Sequence, residues 1–128
     1  MQTLLSILLS SLWLFGSGAV VFAILLPKWF EQNFHLVARD KKDFKFIPVL
    51  TEKILQSVGI TLLVKWTVQP VIVLTAIPLL LISCTYLLQT YSTYKVEWRP
   101  VCRIALIDSC RIIVAVIIAG LIFSREII

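Results

Sequence analysis

Arg103, Asp108 and Arg111 lie within residues 100–123, a stretch that is otherwise almost wholly apolar. A charged side chain at the centre of a membrane helix costs about 2.5–3.5 kcal/mol on insertion scales, so such groups face protein, water or an opposite charge. On a helix turning 100° per residue the three fall within an arc of about 140°. Asp108 and Arg111, one turn apart, can pair. Ala115 and Ala119 continue the arc deeper into the apolar run, so a charged half-face leads into a small-residue half-face, as a helix–helix seam requires. Leu106, Ile113, Ile117 and Phe123 fall on the opposite arc and suit lipid.

Three chemistries fit this arc. An ion pair between Asp108 and Arg111 would be structural and would leave Arg103 for a lipid headgroup or a partner carboxylate. The arc could bind an anionic lipid, cofactor or substrate at the interface. Asp108 could also carry protons or ions, as carboxylates within spans do. The structural reading is preferred because the pair neutralises itself, and the arc (Arg103, Asp108, Arg111, Ala115, Ala119) is expected to face a partner or lipid.

Other reactive side chains give little. His35 is the only histidine; it cannot supply both axial ligands of a b-type haem, and no two-histidine metal spacing includes it. It reads as an interfacial residue. Cys84, Cys102 and Cys110 form no metal-ligand spacing, and Cys102 and Cys110 stand about 12 Å apart along one helix, too far for a disulfide. They are expected to be buried, inert thiols. The four glycines, Gly16, Gly18, Gly59 and Gly120, form no phosphate-cradling loop, and no hydrolase or metalloprotease motif occurs. The expectation is a non-enzymatic protein without cofactor or metal.

The elements that must position the arc follow from composition. The chain of 128 residues is 59% hydrophobic and 15% charged, with a mean hydropathy of +0.97. Soluble domains carry about 25% charged residues, so this balance points to a bilayer as solvent. The net charge of +5 accompanies apolar runs and no nucleic-acid recognition element, so it is read as a preference for anionic headgroups, not nucleic acid.

Residues 3–26 form an apolar run of about 36 Å as a helix, enough to cross a membrane. A secretory signal peptide is the competing reading, disfavoured by the run's length and by the lack of a basic residue before it. Thr3, Ser6, Ser10, Trp13 and Ser17 recur at steps of three and four, a small and polar stripe on which another helix can pack. Pro27 ends the run, and Lys28 and Trp29 mark the interface. Residues 31–46 are the most polar of the chain and read as a loop against headgroups.

From Pro48 onward Ile54, Leu55, Val58 and Leu62 share one face, with Glu52, Lys53, Gln56 and Ser57 opposite. This predicts an amphipathic helix lying in the interface. Lys65 and Trp66 then anchor a second span over 67–88, kinked at Pro70 and Pro78. Tyr86, Tyr91, Tyr94 and Trp98 mark its far end, and 101–123 is the third span.

The expected fold is thus an all-α integral membrane protein in one domain, residues 1–128. Three transmembrane helices (3–26, 67–88, 101–123) flank an interfacial loop and helix over 27–66; the alternative has four membrane-embedded helices. The basic residues gather in the first loop. With three spans this places the N-terminus outside, and the first loop and C-terminus on the cytoplasmic or equivalent side of a bacterial inner membrane or an organellar one. Small size and unpartnered seams suggest an accessory or assembly subunit of a larger membrane complex, such as an energy-converting one, with other transmembrane subunits and anionic lipids as partners. A homo-oligomeric channel, transporter or holin-like pore is the alternative.

Overall fold

The computed structural model describes residues 1–34, 46–67, 70–93 and 97–127, and the regular structure among these is helical. Helix α1 (Gln2–Ala19) runs into a π-helical turn, Val20–Leu25, followed by the short α2 (Pro27–Phe34). Helix α3 spans Phe46–Trp66; a second π-helical turn, Ile72–Ala76, leads into α4 (Ile77–Thr93); and α5 spans Trp98–Ile122. His35, Arg39, Lys41, Lys42, Lys45, Tyr94 and Lys95, part of the expected interfacial loop and connector, lie outside the described residues.

Both π-turns have the same cause. Each ends two residues before a proline, Pro27 or Pro78. Proline offers no N–H to the carbonyl four residues back, and its ring crowds that carbonyl. Widening the turn by one residue passes the bond onward, and the Leu26 N–H donates to the Val21 carbonyl, five residues back, at 2.8 Å. The kink expected at Pro78 therefore takes the form of a π-turn. Pro70 instead stands just before the helical stretch, where a missing N–H costs nothing.

Contacts fix the helix directions. Lys65 Nζ donates to Thr3 Oγ1 at 3.5 Å, and Ser6 and Thr61 share a hydrogen bond of 2.8 Å. The end of α3 thus lies beside the start of α1. Gln2 Nε2 donates to the Ile122 carbonyl at 3.4 Å, so α5 also runs antiparallel to α1. Residues 71–93 begin beside the end of α5 and return within a few residues to its start, so α4 is antiparallel to α5. The four long elements alternate in direction, with α1 packed on α3 and α5, and α4 packed on α5.

The N-terminus and the end of α5 therefore share one end of the bundle, whereas three crossings would separate them. At that end α5 terminates on Ser124, whose φ of 52° is left-handed. The Ser124 and Arg125 N–H groups donate back to the Leu121 and Gly120 carbonyls at 3.1 and 2.8 Å. The tail then turns across the bundle, and the Glu126 and Ile127 carbonyls accept the Val71 and Ile72 N–H groups at 3.0 and 3.1 Å. These donors open a helix and have no partner within it. Arg125 Nη2 donates to the Lys65 carbonyl at 2.8 Å, so the tail ties together the ends of three helices.

The core comprises Leu14 of α1, Ile60 and Val64 of α3, Val71 before α4, and Ala115, Val116 and Ala119 of α5. Three helical stretches are long and apolar enough to cross a membrane: Gln2–Leu25, Phe46–Trp66 and Trp98–Ile122. The second corresponds to the helix expected to lie in the interface, not to 67–88. The polar cluster in its first half explains the difference. Lys53 Nζ donates to Glu52 Oε1 at 3.2 Å and to Gln56 Oε1 at 3.3 Å, and Gln56 Nε2 closes the ring on Glu52 Oε1 at 3.2 Å. A mutually satisfied cluster within about three turns of the helix start is far cheaper to place in a membrane than its separate charges.

Candidate functional site

Helix α3 also presents the opposite face to the one amphipathicity suggests. Ser57, Ile60, Thr61 and Val64 are buried, while Ile54, Leu55 and Leu63 are exposed. In water this would be inverted. Against lipid the outward apolar face costs nothing, and the hydroxyls gain by finding partners inside. Thr61 bonds Ser6 of the α1 stripe, Ser57 donates to the Lys53 carbonyl of its own helix at 2.8 Å, and Ser10 is fully buried in the seam by packing alone. The row Lys53, Ser57, Thr61 and Lys65, recurring every four residues, was the sequence signal for this seam. An interhelical hydrogen bond between membrane helices contributes about 0.6 kcal/mol on average. Ser6→Ala is expected to cost about that much, as a small shift of the unfolding midpoint in mixed detergent micelles.

The other half of the stripe meets the charged arc. Arg111 Nε donates to Ser17 Oγ at 2.8 Å, Arg111 Nη1 pairs with Asp108 Oδ1 at 2.6 Å, and Arg111 Nη2 donates to the Leu14 carbonyl. Trp13 Nε1 in turn donates to the Arg111 carbonyl at 2.9 Å. Each guanidinium nitrogen thus has an acceptor, two of them on α1 and one on α5. Arg111 is 7% exposed and Asp108 is half-buried.

Arg111 stands about 20 Å from the start of α5 and about 17 Å from its end. Leu14 holds a similar middle position in the Gln2–Leu25 stretch. The pair therefore occupies mid-height, where an unsatisfied charge is most expensive. Gly18 provides the space: a Cβ there would lie 2.6 Å from Arg111 Nη2 and 3.1 Å from Cζ. Neither this requirement nor the capture of the Leu14 carbonyl was visible in the residue pattern, because both depend on the register between α1 and α5.

Sequence-predicted residues thus separate into groups. Arg111, Ala115 and Ala119 are buried within the chain's own bundle, the alanines completely. They do not face lipid or an outside partner, because α1 and the core fill the seam. Asp108 is committed to Arg111, and Arg103 is exposed. Of the opposite arc, Leu106 is exposed but Phe123 packs against the core. Cys84 and Cys110 are exposed and Cys102 is half-buried; all three are free thiols, and the expected burial does not hold. Helical position puts Cys84 and Cys110 on outward faces. Lys28, Lys65, Trp66 and Trp98 are exposed and Trp29 is half-buried, all at helix ends.

A shallow groove of about 680 Å³ runs along α1 between Leu9 and Val21, with Ile118 of α5 on its other side. Its surface is apolar, and Gly16 opens into it with nothing within 4 Å of where a Cβ would stand.

The architecture defines an all-helical chain with three helices long and apolar enough to cross a membrane, pointing to a membrane-embedded protein. The chain matches no protein-family model, no curated protein and no solved structure.

Proposed function

We propose that this chain is a small accessory or assembly subunit of a larger membrane complex, inserted as four antiparallel membrane-embedded helices. The observation that carries the reading is how little of the bundle covers itself. Only 11% of the apolar window of the first candidate span, 22% of the second and 28% of the third is buried within the chain. Large apolar side chains, Leu4, Leu5, Leu8, Leu12 and Ile24 on the first alone, remain outside. Such faces can pack against lipid and against helices of other subunits. The internal commitment of Arg111 favours this over a pore, because a guanidinium held on three acceptors at 7% exposure does not line a wet path.

Native purification in a mild detergent, with identification of co-migrating chains, tests the assignment. A stoichiometric second polypeptide is expected. A homo-oligomer alone, with ion flux in proteoliposomes, would overturn it for the channel reading.

Four crossings also sharpen the distribution of basic residues. Among the described residues Lys28, Arg99 and Arg103 stand at one end and Lys65 and Arg125 at the other, and the sequence that joins α2 to α3 and α4 to α5 contains Arg39, Lys41, Lys42, Lys45 and Lys95. The positive-inside rule assigns the first end to the cytoplasmic or equivalent side and both termini to the other. Reporter fusions at residues 1 and 128 are expected to report the same, non-cytoplasmic side; opposite sides would restore the three-span arrangement.

A further inference from the structure

Arg99 and Arg103 are both exposed, one turn apart on the same side of α5, and among the described residues neither takes part in an ion pair. Like charges at this spacing repel, and an anion between them relieves the repulsion. Asp108 cannot serve, because it lies about 140° around the helix from Arg103 and is engaged by Arg111. From Arg103 the helix surface descends through Ile107 and Val114 to Ile118, about 22 Å along the axis and about 60° around it. Ile118 is the α5 wall of the groove whose other side is Leu9, Leu12, Gly16, Val20 and Val21 of α1.

The geometry points to a binding site for one anionic phospholipid, its phosphate between Arg99 and Arg103 and an acyl chain in the α1–α5 groove. Charge complementarity selects the occupant: a paired cationic site at the level of the α5 start stands above a slot that is apolar along its length. A hydrocarbon leaflet is about 15 Å deep, so a chain hanging from the Arg103 level reaches the upper groove beside Gly16, Val20 and Val21. The slot passes over Trp13 and Ser17, so the lipid would cover the outer side of the Arg111 clasp. This inference requires no other polypeptide and stands or falls separately from the subunit assignment.

The full chain, reconstituted in phosphatidylcholine vesicles containing one-fifth phosphatidylglycerol and re-extracted, can be weighed with its retained lipids by native mass spectrometry. Enrichment of phosphatidylglycerol over its share of the vesicle is expected. Arg103→Gln is expected to lower that enrichment about fivefold, the factor one basic residue near a membrane surface supplies. The R99Q/R103Q double variant should abolish it, and Arg103→Lys should keep most of it. Gly16→Leu, which fills open space, should reduce retention of both lipids without lowering the unfolding midpoint. Unchanged phosphatidylglycerol enrichment in R99Q/R103Q would overturn the site. So would a Gly16→Leu variant with unchanged lipid count but altered oligomeric state, which would assign the groove to another helix.

Discussion

Asp108→Asn is expected to destabilise the bundle by about 1–3 kcal/mol, less than stripping one partner from a fully buried ion pair, because the Asp108 side chain is 40% exposed while Arg111 is buried. The loss falls on Arg111, which keeps Ser17 Oγ and the Leu14 carbonyl but loses its counter-charge at mid-height in the bundle. The measurement is the free energy of unfolding in mixed micelles titrated with sodium dodecyl sulfate. The accompanying result is more diagnostic. Replacing both residues, as in D108L/R111M, is expected to recover most or all of the loss, because apolar replacements of buried pairs are commonly neutral or stabilising. Trp13 keeps its partner in every variant, since it donates to the backbone carbonyl of residue 111. If the double variant were stable yet lost the co-purifying polypeptide proposed above, the pair would have a role beyond holding α1 to α5.

Gly18→Ala is the second large effect, expected to cost about 1–3 kcal/mol, as overpacking of a close contact does. The added methyl would press on the guanidinium, which cannot swing away without leaving Leu14, Ser17 and Asp108. Gly16→Ala, two residues earlier and facing open space, should instead be neutral or stabilising by up to about 1 kcal/mol through helix propensity. The contrast separates close packing from a general dislike of side chains in this glycine pair. Coupling supplies the control: in an Arg111→Met background the cost of Gly18→Ala should fall to near zero, because residues in contact do not behave additively. The same detergent titration reads all four variants.

Membership of the charged arc and of the serine stripe was legible in the residue pattern, because helical periodicity alone places residues on a face. What each face meets was not. The stripe expected to receive some other helix takes α3 at Ser6 and α5 at Trp13 and Ser17. The arc expected to dock a partner is closed at Arg111, Ala115 and Ala119 and open at Arg103. Helix α3 shows why amphipathicity misled: over Phe46–Trp66 its faces differ little in hydrophobicity, so the pattern at Ile54, Leu55, Val58 and Leu62 did not decide which face turns inward. Glu52 and Lys53 argued for the interface only while they were taken as separate charges.

By itself the sequence determined the class: all-helical, apolar enough for a membrane, with one charged arc and one hydroxyl stripe. These follow from composition and a 3.6-residue period, which are local properties of the chain. Tertiary structure alone decided that the arc and the stripe are partners within one molecule. It also decided that Gly18 gives way to a guanidinium, that the tail caps the helix opened by Val71, and that the two termini share an end. Each of these depends on the relative direction and register of elements far apart in sequence, and no local periodicity carries that information.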